Sequence, residues 1–218
     1  MQKELSDKES YLNYGKYNLH MEDMITNNYY LVLEELEKKS THPRELSRKT
    51  GLSHTQVGKI LNYFYKQNVL EKTIIGKSII YEIKKNVLSL NYLVICKKLK
   101  LIHLSYIDKK MKVLFEEISS KLKDLSGKIN CLILFGSYSK GFQKKSSDID
   151  LFFVSNLNNK VVRNKMKEIE ESFGIKINIK ILDLDTFKKE KNHPLTLEVL
   201  EGIPLINSEL FYELKWLK

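Results

Sequence analysis

The segment from Leu132 to Val154 places the strongest constraint on how this 218-residue chain can fold. Its first part, Leu132 to Phe135, is a continuous apolar run, which is typical of a β-strand covered on both faces. Gly136-Ser137 ends this run, and a glycine there lets backbone N–H groups approach an anion without a Cβ in the way. A short helix and a second apolar run, Leu151 to Val154, follow. The segment therefore predicts two buried strands joined by a turn that can bind an anion.

Two carboxylates lie at the start of the second strand. Asp148 and Asp150 are separated by one residue, so the alternation of a strand points both to one face, and Ile149 and Leu151 to the other. Two carboxylates on one face repel each other unless a cation lies between them. Mg²⁺ with a nucleoside triphosphate is the usual occupant of such a place. The sequence therefore predicts a cation site beside the Gly-Ser turn.

Taken together, these residues resemble the signature of the polymerase-β-type nucleotidyltransferase superfamily. The signature consists of Gly136-Ser137, then Gly141, and then Asp148-Ile149-Asp150. The similarity extends over about residues 128–209 and is closest to the small stand-alone members found in prokaryotes. It implies a small mixed sheet in the order strand–helix–strand–helix–strand–helix. The competing interpretation is a surface hairpin with two solvated acids.

The resemblance also implies how a nucleotide would be bound. Gly136 and Ser137 would hold the triphosphate through backbone amides and the serine hydroxyl, with Lys140 and Gly141 completing the nucleotide site. The implied substrate is ATP or another nucleoside triphosphate, and the implied cofactor is Mg²⁺. Two further lysines in the intervening segment could offset phosphate charge, namely Lys144 and Lys145.

The catalytic set departs from the family at one position. In the family, two carboxylates bind Mg²⁺, and a third on a neighbouring strand helps to hold a second metal and acts as the general base. Asp148 and Asp150 match the first two, whereas Asn178, on the alternating run Ile175 to Leu182, occupies the third position. An Asn can offer an oxygen to a metal but cannot take a proton. Two outcomes stay open: a slow or one-metal transferase, or a protein that binds a nucleotide without turnover.

Residues 28–86 carry a separate set of helix and strand signals. A first amphipathic helix ends near Ser40, and Pro43 begins a second helix, capped by Thr41 or His42, that Gly51 closes. Ser53 caps a third helix that runs to about Asn68. Two strand-like runs then flank Gly76-Lys77 and predict a hairpin with a basic tip.

This order resembles the winged helix-turn-helix family of DNA-binding domains, whose second paired helix enters the major groove. Eleven Lys and Arg against six Asp and Glu in residues 28–86 agree with a nucleic-acid partner. A winged helix used for protein contacts or dimerisation is the competing interpretation. The resemblance assigns the third-helix residues His54, Thr55, Gln56 and Lys59 to bases or their flanks, and Arg44, Arg48, Lys49 and Lys77 to phosphates.

The remaining segments complete an α+β chain of four parts. Residues 1–27 predict an arm or one short helix, and residues 87–126 predict one or two helices that join the domains. This helical linker is also the expected contact of a homodimer. Residues 127–218 form the nucleotidyltransferase-like domain.

Composition narrows the class of protein further. With 42% hydrophobic and 29% charged residues, the chain is an ordinary globular protein. No apolar run approaches the ~18 residues that a membrane span requires, so we expect no membrane partner. Cys96 and Cys131 lie in apolar surroundings, which predicts a reduced, cytoplasmic protein.

Two functions follow from these patterns. The first is an enzyme that transfers a nucleotidyl group, AMP from ATP with Mg²⁺, to a hydroxyl of a protein, an RNA or a small molecule. The second is a transcription regulator whose nucleotidyltransferase-like domain binds a nucleotide without turning it over.

Overall fold

The computed structural model describes residues 28–107, 109–144 and 146–216, with side chains described outside residues 102–109. The predicted arm of residues 1–27 and the lysine at position 145 lie outside the described residues. The chain divides into two compact units, and the division falls within a helix, between Leu99 and Lys100. The predicted domain boundaries after residues 86 and 126 remain predictions.

The described part of the N-terminal unit, residues 28–99, contains three helices, an antiparallel hairpin and the first part of a longer helix. In chain order these are α1 (Tyr29–Lys38), α2 (Pro43–Thr50), α3 (His54–Lys66), β1 (Leu70–Ile75), β2 (Ser78–Ile83) and α4 (Val87–Ile107). The hairpin turns at Gly76, whose φ of 62° lies in the left-handed region that favours glycine. The element order predicted for residues 28–86 is therefore present.

Local capping explains where α2 and α3 begin and end. The Nδ1 atom of His42 accepts a hydrogen bond from the backbone N–H of Arg44 at 3.1 Å, with Pro43 in the first turn of α2. Gly51 ends α2 with a φ of 71°. The hydroxyl of Ser53 then caps α3. These contacts confirm the predicted start and end of α2 and the predicted start of α3. Of the two caps predicted for α2, Thr41 and His42, the structure has His42.

Apolar positions at helical spacing form the core of this unit. Helix α3 contributes Val57, Ile60, Leu61 and Phe64, all fully or nearly fully buried, as the periodicity predicts. Phe64 packs edge-on against Tyr29 of α1 and Tyr92 of α4, with ring centroids 5.5 Å and 5.3 Å apart. Full burial of the Phe64 side chain alone contributes about 1.5–3 kcal/mol.

This unit also contains a buried ion pair that the sequence did not predict. The Nζ atom of Lys97 in α4 lies 3.3 Å from Oε2 of Glu37 in α1, and each side chain is only 6% exposed. Burying a charge is costly unless it is paired. The two residues therefore depend on one another for their place in the core.

The C-terminal unit is a four-stranded sheet with helices on both faces. Its elements are α5 (Lys109–Lys121), a 3-10 helix (Lys123–Lys128), β3 (Ile129–Phe135), α6 (Gly136–Lys140), β4 (Ile149–Ser155), α7 (Asn159–Phe173), β5 (Ile177–Leu182), α8 (Leu184–Lys189), α9 (Pro194–Val199), β6 (Ile203–Ile206) and α10 (Ser208–Trp216). The strand order is β5-β4-β3-β6. Strands β4 and β5 are parallel, and β3 is antiparallel to both of its neighbours. This is the small mixed sheet that the resemblance implies.

Side-chain alternation along β4 divides the sheet into two faces. Ile149, Leu151 and Phe153 face one core, where α5 and α7 cover the sheet. Phe152 faces the opposite side and packs edge-on against Phe187 of α8, with ring centroids 5.4 Å apart. The acids at the start of β4 share the parity of Phe152, so they lie at the end of that second face.

The C-terminal end of the chain contains a helix that the sequence did not predict. His193 caps α9, and Ile203–Ile206 forms the strand β6. Helix α10 was not predicted, although Asn207 supplies a recognisable cap signal because its Oδ1 accepts from the N–H of Leu210 at 3.2 Å.

Two further expectations can be checked against the described residues. Both cysteines are buried and unpaired, and burial raises the pKa of the Cys131 thiol to about 12. None of the described helices combines the length and the apolar character that a membrane crossing requires.

Candidate functional site

The turn after β3 lies directly against one of the two acids. The antiparallel register of β3 and β4 places Phe135 opposite Asp150, and Gly136 follows with a φ of 69°. A Cβ added to Gly136 would lie 2.2 Å from Oδ2 of Asp150. Only glycine fits this position, because any other residue would collide with the carboxylate and strain the backbone.

The two acids and Asn178 meet at a single point. The parallel register of β4 and β5 pairs Asp150 with Asn178. The Nδ2 atom of Asn178 donates hydrogen bonds to Oδ1 of Asp150 at 3.0 Å and to Oδ2 of Asp148 at 3.3 Å. The predicted sharing of one face by Asp148 and Asp150 is therefore confirmed.

Helix α7 holds the start of β5, and with it Asn178. The Nη1 atom of Arg163 donates to the carbonyl of Ile177 at 3.0 Å, and the N–H of Ile177 donates to Oε1 of Glu170 at 2.6 Å. The N–H of Ile149 donates to the carbonyl of Lys176 at 2.9 Å, which begins the pairing of β4 with β5. These backbone contacts determine which β5 side chain faces the acids.

A lysine ammonium lies beside the acid pair. The Nζ atom of Lys176 is 3.1 Å from Oδ2 of Asp148, the same oxygen that Asn178 contacts. The side chains of Lys176 and Asp148 are 67% and 34% exposed, so solvent screens this pair substantially. The contact nevertheless places a positive charge beside Asp148, one of the two acids to which the family resemblance assigns metal binding.

The turn continues into the short helix α6 (Gly136–Lys140), whose backbone carbonyls accept local hydrogen bonds. Ser139 donates through its hydroxyl to the carbonyl of Gly136 at 2.9 Å, and the N–H of Phe142 donates to the carbonyl of Ser137 at 3.0 Å. Ser137 itself is half-buried at the first turn, and Gly141 ends α6 with a φ of 75°. Both predicted glycines therefore take conformations that favour glycine.

The predicted phosphate-facing lysine has an acidic partner that the sequence did not reveal. The Nζ atom of Lys140 donates to Oε1 of Glu198 in α9 at 2.8 Å, and this hydrogen bond raises the pKa of the lysine. Glu198 is 58 residues further along the chain, so no local pattern pointed to the pair. Lys144 is exposed.

Asp183, the nearest acid after Asn178, serves a different purpose. Its carboxylate accepts from the N–H of Thr186 at 2.8 Å and from the Thr186 hydroxyl at 2.6 Å, capping α8. These hydrogen bonds lower the pKa of Asp183. Asp183 lies just past the end of β5, so it does not supply the third acid that the family has at the position of Asn178. Among the described residues, no group of three or more His, Cys, Asp or Glu side chains is arranged to hold a metal ion.

The residues predicted to contact DNA divide into two groups. All eight residues are exposed, and the first group consists of His54, Thr55 and Lys59 on α3, Arg44 and Arg48 on α2, and Lys77 at the hairpin turn. Ile74 and Ile75 beside Lys77 are 71% and 65% exposed, so the hairpin tip presents apolar surface as well as the predicted basic residue.

The second group is engaged in local structure. Oε1 of Gln56 accepts from both the N–H and the hydroxyl of Ser53, at 3.0 Å and 2.9 Å, which completes a capping box at the start of α3. The Nζ atom of Lys49 lies 3.2 Å from Oε1 of Glu45 and 3.6 Å from Oε2 of Glu35. These two residues are less available to a nucleic acid than the sequence suggests.

A glycine turn pressed against an acid pair, on a β5-β4-β3-β6 sheet, defines a nucleotidyltransferase-like protein. The family described as "Polymerase beta, Nucleotidyltransferase" matches residues 116–209. MJ0604 of Methanocaldococcus jannaschii, named provisionally as a protein adenylyltransferase, is 30% identical over 94 residues, which are 43% of this chain and 91% of that protein. The chain therefore belongs to the polymerase β nucleotidyltransferase family.

Two solved structures are similar at lower identity. One is a chain in a crystal structure of a toxin–antitoxin with AMP-PNP, which is 23% identical to this protein. The match covers 46% of this protein and 83% of that chain, with a TM-score of 0.37. A mutant of the toxin–antitoxin MntA–HpeT is 22% identical with the same coverage and a TM-score of 0.34. At these TM-scores neither structure bears on the assignment, which rests on the sequence matches.

Proposed function

We propose that this protein transfers a nucleotidyl group, AMP from ATP, to a hydroxyl group of an acceptor. The observation that carries the proposal is the convergence of Asp148 and Asp150 on one point beside the Gly136 turn. Such a point offers two oxygen ligands to a hard cation, next to backbone amides that suit a phosphate.

The donor set fits one Mg²⁺. Asp148 and Asp150 each direct one carboxylate oxygen to the same neighbour, Nδ2 of Asn178, so the two carboxylates would together hold a cation that took the place of this nitrogen. Asn178 could add its amide oxygen in place of its nitrogen. When bound, Mg²⁺ neutralises phosphate charge and polarises the phosphorus that is attacked.

The transfer itself is an in-line displacement. The acceptor oxygen forms a bond to the α-phosphorus of ATP, the bond from that phosphorus to the bridging oxygen of the β-phosphate breaks, and pyrophosphate leaves with the electron pair. The acceptor proton passes to water, because Asn178 cannot take it. Gly136 and Ser137 hold the phosphates, and Lys140 reaches them when it leaves Glu198.

Absence of the third acid supports a slow reaction. Losing a general base typically costs about 10²–10⁴ in rate. The name of MJ0604 favours a protein acceptor, while an RNA or a small molecule is equally compatible with the chemistry at phosphorus.

The test is label transfer from ATP carrying a radioactive α-phosphate, with Mg²⁺ and candidate protein, RNA and small-molecule acceptors. We expect transfer by the wild-type chain and none by Asp148→Ala. Lys180→Met is the matched control, since Lys180 lies on β5 two residues after Asn178, is exposed, and carries the same charge as Lys176. Transfer that survives Asp148→Ala would exclude this site as its origin.

A second function is favoured by Asn178 and Lys176, which together weaken the case for turnover. In this alternative, the C-terminal unit binds a nucleotide without transferring it and reports its presence to the N-terminal unit. Saturable ATP binding with no label transfer to any acceptor would support the regulator, and label transfer that depends on Asp148 would exclude a sensor-only role.

For the N-terminal unit we propose DNA binding in the manner of a winged helix-turn-helix. The exposed polar start of α3, with His54, Thr55 and Lys59, supports base contacts. The exposed Arg44, Arg48 and Lys77 support phosphate contacts. A homodimer would present two such helices to two half-sites.

A gel shift with a mixed-sequence DNA duplex at low salt tests this proposal. We expect binding that weakens in Lys59→Ala and in Arg48→Ala. A shift that persists unchanged in both variants would exclude α3 and α2 as the binding face. Light scattering of the full chain at several concentrations tests the homodimer, and a monomeric mass throughout would contradict it.

A further inference from the structure

The acid pair of the proposed nucleotide site already carries two positively polarised partners from one segment of the chain. Oδ2 of Asp148 accepts from Nδ2 of Asn178 at 3.3 Å and pairs with Nζ of Lys176 at 3.1 Å. Oδ1 of Asp150 accepts from the same Asn178 nitrogen at 3.0 Å. Asn178 in β5 and Lys176 directly before β5 therefore occupy directions from which a cation would approach the acids.

The backbone places both partners there. Lys176 and Asn178 are separated by one residue, so they share the face of the sheet that carries the acids. The parallel register sets Asn178 beside Asp150, and the bond from the N–H of Ile149 to the carbonyl of Lys176 sets Lys176 beside Asp148. Ile177, between them, is buried in the opposite core.

Charge determines how many cations this arrangement can hold. Two carboxylates and one ammonium leave a single negative charge, whereas a set of three carboxylates, in a two-metal site, would carry three. One divalent ion already reverses that single charge, and a second would be held close to the Lys176 ammonium. The Lys176 ammonium and a second cation beside Asp148 would repel each other, with solvent screening part of this repulsion because the Lys176 side chain is 67% exposed.

We propose that Lys176 and Asn178 restrict this site to one divalent cation per bound nucleotide. The ammonium of Lys176 replaces the second cation beside Asp148, and Asn178 withholds the carboxylate that would bind it. Both are specificity-determining residues for the metal content of the site. The inference rests on the proposed nucleotide site.

The matched variants follow from this division of roles. Asn178→Asp restores an acid beside Asp150, and Lys176→Met removes the ammonium while keeping an unbranched side chain of similar length. The double variant combines both changes. Lys180→Met is the control, because Lys180 has the same charge on the same face of β5 and lies further from the acids. Circular dichroism and the thermal transition confirm that each variant is folded.

Equilibrium dialysis of the full chain with MnCl₂ and AMP-PNP measures the ratio of metal to nucleotide retained by the protein. We expect one Mn²⁺ per nucleotide for the wild type and for Lys180→Met, and two for the double variant. Two Mn²⁺ per nucleotide in the wild type, or one in a folded double variant, would overturn the inference while leaving the nucleotide site intact. No retained nucleotide in any variant would overturn the proposed function itself, and the inference with it.

Discussion

The two units of the chain use polar residues in different ways. In the C-terminal unit, Asp148, Asp150 and Asn178 contact one another, because the register of neighbouring strands forces them together. In the N-terminal unit, the predicted DNA contacts are separate side chains on a surface, and two of them, Lys49 and Gln56, are taken up by local structure. A site built by strand register can be predicted from alternation, whereas a surface site also depends on what each side chain contacts nearby.

The largest effect should come from the buried pair of the N-terminal unit. Lys97→Ala leaves Glu37 charged and unpaired in the core, and we expect it to lower the free energy of unfolding by about 3–5 kcal/mol. Denaturant unfolding measures the loss. The control is Lys167→Ala, which removes an exposed i,i+4 partner of Glu171 and should cost less than about 0.5 kcal/mol. Equal costs for the two variants would show that the Glu37–Lys97 contact is not a buried pair in solution.

The next effect compares the two glycines of the proposed phosphate turn. Gly136→Ala adds a Cβ that would lie 2.2 Å from Oδ2 of Asp150, so we expect a loss of about 2–5 kcal/mol from strain and overpacking. Gly141→Ala meets nothing within 4 Å and should cost only the left-handed backbone strain, about 1–2 kcal/mol. Thermal unfolding of both variants tests the difference. If Gly141→Ala were the more harmful change, the close approach of the turn to Asp150 would be wrong.

A smaller effect should separate the exposed lysines of the N-terminal unit from the engaged one. Lys77→Ala should weaken binding to duplex DNA and reduce the slope of log K against log salt by about 1, as expected for one lost phosphate contact. Lys49→Ala should change this slope less, since Lys49 is paired with Glu45 and Glu35. Fluorescence anisotropy across a range of salt concentrations measures both slopes. The comparison would fail if Lys49→Ala reduced the slope more than Lys77→Ala.

The smallest effect concerns Gln56, whose predicted role changes most in the light of its contacts. Gln56→Ala breaks the capping box with Ser53 and should destabilise the N-terminal unit by about 0.5–1 kcal/mol. We expect little change in sequence preference on DNA. If Gln56→Ala lost base discrimination strongly and left the free energy of unfolding unchanged, Gln56 would contact bases, as its position in α3 predicts.

Contacts between residues close together in the sequence could be predicted, whereas contacts between distant residues could not. The cap at Ser53 and the shared face of Asp148 and Asp150 depend on residues within a few positions, and the sequence predicted them correctly. For α2 it left two caps open, Thr41 and His42, and His42 is the one present. The Lys140–Glu198 pair joins residues 58 positions apart, and no local pattern indicates it.

The pair formed by Glu37 and Lys97 lies beyond the sequence for the same reason. Helix α4 carries several lysines in succession, and nothing local distinguishes the one that turns inward from those that face solvent. Gln56 is a different case, because the Ser53 and Gln56 spacing is a capping-box signal that was present in the sequence and was assigned to DNA instead.

Isothermal titration calorimetry with AMP-PNP and Mg²⁺ tests the central claim, that Gly136, Asp148 and Asp150 form a nucleotide site, most directly. We predict saturable binding of one nucleotide per chain for the wild type, loss of binding in folded Asp150→Ala, and unchanged binding in Lys180→Met. No binding by the wild type, or binding of equal affinity in all three proteins, would contradict the claim.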